Sequence, residues 1–188
     1  VFGPLNLMNA VIDGSLEMGN STLRGDEQGR AFKGDGVNIG AGLFMHNSRV
    51  IGEVRLLNSR IRHQVSFNGS IIKSKTGYCV NADGADFVGM VSFNQGFYGV
   101  GEINLFGAKI EQALEIISAL IEVDGNHAIN AHMINVGGSV LIKNCLFKSG
   151  QITFLGAEIR GQLLMQSVIV EEVNDYSLKA IKKKKKVK

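Results

Sequence analysis

Glycine recurs at a spacing of 49 residues, at Gly3, Gly52, Gly101 and Gly150, and each opens a similar segment. The four read GPLNLMNAVIDGSLEM, GEVRLLNSRIRHQVSF, GEINLFGAKIEQALEI and GQITFLGAEIRGQLLM. Aligned, they form apolar columns. Leu5, Val54, Ile103 and Ile152 make the first, and Leu7, Leu56, Leu105 and Phe154 the second. The others are Ile12–Ile61–Ile110–Ile159, Leu16–Val65–Leu114–Leu163, Met18–Phe67–Ile116–Met165 and Leu23–Ile72–Ile121–Val170. Self-similarity at a fixed period is the mark of a repeat architecture, in which each unit buries its apolar face only against its neighbours.

Within each segment apolar and polar residues alternate (L-N-L, V-R-L, I-N-L, I-T-F), the period of a strand with one face turned inward. The second half of each unit repeats the habit in GAGLFM, VGMVSF and GGSVLI, with a one-residue slip in the first copy. Forty-nine residues exceed one ordinary coil, so each repeat is read as two coils. The expected fold is therefore all-β: a right-handed parallel β-helix (β-solenoid) of about seven coils, about 34 Å long at ~4.8 Å per coil. Residues 1–178 are assigned to the solenoid and 179–188 to a lysine-rich tail, expected to be disordered. One segment competes with this reading. IEQALEIISALIEV (110–123) has the apolar spacing of an amphipathic helix in good helix formers, whereas the columns place Leu114 and Ile116 inward in a strand. Stacking on both sides favours the strand.

Composition agrees. There are 24 glycines and one proline, as suits short strands joined by tight turns. The net charge of +3 belongs to the tail: seven of the 20 basic residues lie in 179–188, leaving a body of net charge −4. Cys79 and Cys145 occupy different repeat positions and read as separate buried thiols. No signal peptide and no run of ~18 apolar residues is visible, which reads as cytoplasmic, with peripheral membrane attachment open. The repeat is already in phase at Gly3, and Tyr176–Ala180 aligns with Tyr78–Ala82, interrupting the fourth copy midway. The expectation is a fragment, or a first coil covered by another molecule.

The stretch NADGADFVGMVSFNQGFYGVGEINLFGAKI (81–110) resembles bacterial repeat proteins with units near LNADGxxVGGDVFLxxGFxAxGEVRLLGARIGGQL. The matching residues include Ala82, Asp83, Gly84, Gly89, Gly96, Phe97, Gly101, Glu102, Leu105, Gly107, Ala108 and Ile110. Such proteins often carry the label oxidoreductase or membrane-associated oxidoreductase, without catalytic residues attached to it. The fourth copy leaves the pattern after Val170, and its Gly-Gly is replaced by Arg62-His63 and Glu111-Gln112 in the second and third. Pentapeptide-repeat proteins are similar in style but need apolar centres every five residues.

Candidate chemistry is sparse. GDGVNIGAG (34–42) and GVGEINLFG (99–107) come nearest a dinucleotide fingerprint, but their glycines fall on repeat turns and those of the second have the wrong spacing. His46, His63, His127 and His132 read as solvated turn residues; His127 and His132 beside Asp124 fall short of the three or four convergent ligands a zinc site needs. Asp13, Arg62, Glu111 and Arg160 share one column, two coils apart, and read as a solvated face rather than a cleft. Accordingly no catalytic, cofactor-binding or metal-binding residue and no cofactor is assigned. The expectation is a non-catalytic scaffold presenting an interaction surface to a protein partner or to itself, through a solenoid face or open ends. The alternatives are an enzyme domain, carbohydrate-active or matching the oxidoreductase label, and an acidic DNA mimic, against which the weak body charge speaks. Lys182, Lys183, Lys184, Lys185 and Lys186 suit an anionic membrane surface. No specific nucleic acid is expected, since no aromatic residue interleaves the lysines.

Overall fold

The computed structural model describes residues 3–125 and 127–171. Every strand pairing among them is parallel, and they contain no helix. The chain winds as a β-solenoid of seven coils, each contributing one rung to four ladders. The first ladder runs Leu5, Phe32, Val54, Val80, Ile103, Ile129 and Ile152. The second runs Ile12, Ile39, Ile61, Phe87, Ile110, Val136 and Ile159. The third is Leu16, Leu43, Val65, Val91, Leu114, Val140 and Leu163. The fourth is Leu23, Val50, Ile72, Gly99, Ile121, Phe147 and Val170. Four of the six sequence columns are these ladders in coils 1, 3, 5 and 7, the other two lie two residues past the first and third ladders, and the second-half pieces fill coils 2, 4 and 6. The segment 110–123 is extended in strands Lys109–Ile110, Leu114–Ile117 and Leu120–Glu122, so the stacking template overrides helix propensity.

The registers show why the repeat takes two coils. From the first ladder to the second is always seven residues, as in Leu5 to Ile12 and Phe32 to Ile39; from the second to the third it is always four. The return corner from the fourth ladder to the first alternates. It is long after coils 1, 3 and 5 (Leu23 to Phe32, Ile72 to Val80, Ile121 to Ile129). It is short after coils 2, 4 and 6 (Val50 to Val54, Gly99 to Ile103, Phe147 to Ile152). Each long corner re-enters the first ladder through a register shift, at Arg30/Phe32, Tyr78/Val80 and His127/Ile129. The extra residue turns Ala31, Cys79 and Ala128 into the core.

Core volume alternates in step. Two residues past the first ladder, coils 3 and 5 bury Leu56 and Leu105, while coils 2, 4 and 6 place Gly34, Ala82 and Ala131 at the same site. Two residues before the second ladder the order reverses in part: Val37 and Ile134 on even coils, Ser59 and Ala108 on odd ones. A large side chain on one coil thus lies over a small one on the next, as close packing requires. A Cβ on Gly34 would sit 3.1 Å from Leu56 Cδ2.

One break in the apolar columns is repaired locally. The fourth ladder reads glycine at Gly99, and the buried ring of Phe97 occupies the space beside it, 3.1 Å from where a Cβ would sit. Phe97 meets Phe93 edge-on at 5.0 Å, and Phe93 stacks on Phe67 at 5.0 Å. Core-facing residues of the terminal coils, such as Leu5, Ile12, Phe154 and Ile159, are only half-buried. The expected interruption at Tyr176–Ala180 and the lysine tail at Lys182–Lys186 lie outside the described residues.

Candidate functional site

Two surface features stand apart from the regular solenoid: an outward apolar stripe and a polar notch.

The stripe lies on the outer side of the fourth ladder. The residue preceding each rung points away from the core, and down the coils these are Thr22, Arg49, Ile71, Tyr98, Leu120, Leu146 and Ile169. From coil 3 to coil 7 that column is unbroken apolar or aromatic surface. Ile71, Tyr98, Leu120 and Leu146 are partly exposed, and Ile169 is 60% exposed. By contrast the outward column on the second ladder is polar from coil 2 to coil 7, reading Asn38, Arg60, Asp86, Lys109, Asn135 and Glu158, and the exposed Met8, Phe106, Met133 and Leu155 sit singly in turns. The column on the other side of the fourth ladder is Arg24, Ile51, Lys73, Val100, Glu122, Lys148 and Glu171. In it Lys148 Nζ pairs with Glu122 at 2.8 Å, and Lys73 Nζ lies 4.7 Å from the centre of the Tyr98 ring. A shallow apolar depression runs beside the stripe between Phe97, Ala119, Leu120, Cys145, Leu146 and Ile169.

The notch is made by the alternating corners. Two long corners, one through Ser74–Tyr78 and one through Val123, Asp124, Gly125 and His127, project on either side of the short corner Val100–Gly101–Glu102 and leave a cavity of about 410 Å³ over it. Glu102 sits on its floor with Ser74, Tyr78, Asp124 and His127 around it. Burial pushes the Glu102 carboxyl up from its ordinary range, against a lowering hydrogen bond from Asn130. Burial, helped by the field of His132, pushes His127 down. His127 Nδ1 is 3.8 Å from Glu102 Oε2, beyond hydrogen-bonding distance, and burial favours the uncharged form of each. The equivalent notch one repeat earlier is filled. There Glu53 is buried, accepting from the Asn81 amide at 3.2 Å and the Thr76 hydroxyl at 3.3 Å, while the Thr76 methyl packs towards Gly29. Position 125, one repeat after Thr76, is glycine.

The remaining candidates from the sequence are dispersed. Gly36, Gly101 and Gly107 have φ of 65°, 116° and 60° and lie in turns or at corners of the coils. Asp13, Arg62, Glu111 and Arg160 are all exposed, with Gly40, Val88 and Gly137 on the coils between them. His46 bonds Ser66 Oγ at 2.8 Å, His63 is exposed, and His132 packs edge-on against Phe106 at 5.3 Å. His127 is not a turn residue: it begins strand His127–Asn130, because the corner's extra residue brings it opposite the short corners of its neighbours. No group of three or more His, Cys, Asp and Glu side chains converges among the described residues. Both thiols are free and buried; burial raises Cys79 to about 12 and raises Cys145 as well. No helix among the described residues is long and apolar enough to cross a membrane.

The sequence matches no protein-family model, no curated protein and no solved structure.

Proposed function

We propose that this chain is a non-catalytic solenoid scaffold that presents the outer side of its fourth ladder to a protein partner. The observation behind the reading is the stripe Ile71–Tyr98–Leu120–Leu146–Ile169, apolar or aromatic over five successive coils, whereas outward apolar residues elsewhere, such as Met8, Phe106 and Leu155 or Phe44, Leu141 and Leu164, are interrupted by polar ones within two coils. Solenoids commonly bind along such extended sides. The likeness of 81–110 to GEVRLLGARIGGQL-type repeat proteins fits. Ala82, Phe97, Leu105, Ala108 and Ile110 are core, and Gly84, Gly96, Gly101 and Gly107 have positive φ, so the shared residues serve the fold rather than a reaction. Acids and bases are interleaved, as in Asp35–Arg55, Asp86–Arg60, Glu111–Lys109 and Glu122–Lys148, which gives little support to a DNA mimic.

The test has two arms. Titration with NAD, NADP, FAD and FMN is expected to give no saturable binding, and micromolar affinity for any of them would overturn the reading. Leu120→Lys with Leu146→Lys is expected to keep the circular dichroism of the native chain while losing its association with other protein molecules; association that survives this change sinks the assignment to the stripe. The enzyme reading keeps one supporting observation, the Glu102–His127 pair in the notch. Turnover on any glycan that Glu102→Gln abolishes would establish it. Attachment to anionic membranes through Lys182–Lys186 is proposed as a separate, electrostatic property. Replacing the five lysines with serine is expected to remove sedimentation with anionic liposomes, and binding that resists about 1 M salt, where screening acts over about 3 Å, would contradict it.

A further inference from the structure

We infer that the stripe's partner is a second copy of this chain, docked face to face with the two solenoids antiparallel. The inference rests on the scaffold reading above and names its partner. A strip of like residues is its own complement, and a two-fold axis lying in the plane between two such faces presses the strip against itself. Two axis directions do so. An axis parallel to the solenoid sets coil upon coil and throws the two charged columns to opposite sides, where they do not meet. An axis along the strands reverses the coil order and lays each charged column over its counterpart. Charge and overlap together then place the centre: an axis between coils 6 and 7 would also oppose Lys148 and Glu171, but would match only Leu146 with Ile169 among the described residues. In the column Lys73, Val100, Glu122, Lys148, Glu171, an axis through coil 5 would set Glu122 against its own copy. An axis between coils 5 and 6 instead sets Glu122 opposite Lys148 of the partner subunit and Lys148 opposite Glu122 of the partner subunit. The same axis lays Leu120 on the partner's Leu146, and Tyr98 on the partner's Ile169. Glu122 and Lys148 are already paired at 2.8 Å within each chain, so the centre becomes a ring of four alternating charges beside an apolar strip. The matched rungs run from Tyr98 to Ile169, three coil spacings or about 14 Å. That is short for a standard interface, so the association is concentration-dependent rather than obligate.

The experiment is sedimentation velocity on the full chain over a concentration series. The native chain is expected to shift from monomer towards dimer, and the Leu120→Lys, Leu146→Lys double variant to remain monomeric with unchanged circular dichroism. Glu122→Lys alone puts like positive charges face to face across the axis, and Lys148→Glu alone puts like negative charges there; each is expected to weaken dimerisation about tenfold. An equimolar mixture of these two single variants restores opposite charges at every contact across the axis and is expected to dimerise as the native chain does. A Lys148→Glu variant that dimerises normally would refute the position of the axis. A mixture no better than its components would refute the antiparallel order. A native chain that stays monomeric to millimolar concentration would refute self-association outright. The scaffold reading stands or falls separately, on the cofactor titration.

Discussion

The short corners make the sharpest demand on sequence, and a matched pair of glycine substitutions measures it. Gly101 joins the fourth ladder to the first in a corner of only four residues, at φ 116°, a value L side chains rarely adopt. A Cβ there would also lie 2.6 Å from Cys79 N and 2.9 Å from the Tyr78 carbonyl carbon, both backbone atoms of the coil before. Gly107 has φ 60° in an ordinary turn, with nothing within 4 Å of its Cβ position. Gly107→Ala therefore bears only the left-handed penalty, roughly 1–2 kcal/mol. Gly101→Ala bears backbone strain of roughly 1–3 kcal/mol and a clash that must move two coils, for a total of about 3–5 kcal/mol. At roughly 2–4 °C per kcal/mol for a domain of this size, the expected losses in melting temperature are about 4 °C for Gly107→Ala and about 10 °C or more for Gly101→Ala. Gly107→Asn should be nearly silent, because one repeat earlier the same turn position is Asn58 at φ 50°. The assay is thermal unfolding followed by circular dichroism, with urea unfolding as a check. Equal losses for the two alanine variants would refute the claim that inter-coil contact, rather than φ alone, fixes the repeat-heading glycine.

Phe97→Ala empties the slot beside Gly99 and should cost about 3–5 kcal/mol in urea unfolding, with the loss of edge contact to Phe93 included. Glu102→Gln should make stability less dependent on pH. The folded acid holds its proton more tightly than the unfolded one, so the native chain's contribution from this group is greatest below the ordinary glutamate range. It declines as pH rises through the raised folded value, and a variant with an unaltered pH profile would contradict the burial of that carboxyl. Cys79 and Cys145 should resist a thiol reagent at neutral pH until urea unfolds the chain; rapid labelling of either in native conditions would contradict its burial.

Most of the fold was legible because stacked ladders repeat their chemistry: Ile12, Ile61, Ile110 and Ile159 announce one wall of the core without any knowledge of turns. Even the helical spacing of 110–123 gives way to that signal. What stayed hidden is set by corners. One residue beyond the regular lengths is accommodated in a different place in each repeat. It lies between Leu23 and Phe32 in the first, between Val91 and Gly99 in the second, and between Phe147 and Ile152 in the third. The residue added between Leu23 and Phe32 shows in the sequence only as the one-residue slip of the first copy's second half, with nothing in it to locate the turn. Phe97 standing in for the side chain missing at Gly99 is equally invisible to column matching. The stripe did leave a trace. Ile71–Ile72, Leu120–Ile121, Leu146–Phe147 and Ile169–Val170 are apolar doublets at one ladder, and a doublet in a strand puts one member outside. His127 beside Glu102 left none, since the shift at His127/Ile129 that aligns them is a matter of backbone path.

The alternation of long and short corners also restricts how such a molecule can change length. Deleting a single coil, such as the 22 residues from Phe32 to Val54 or the 26 from Val54 to Val80, would bring two coils of the same kind into contact. Without coil 2, bulky Leu7 and Leu56 would compete for one site and two projecting long corners would collide; without coil 3, Gly34 and Ala82 would leave that site underfilled. Deleting 49 residues rejoins unlike neighbours and leaves every contact type in place. Growth or shortening of the rod is therefore quantised in pairs of coils, and a duplication that begins at almost any residue succeeds provided that it carries one full pair.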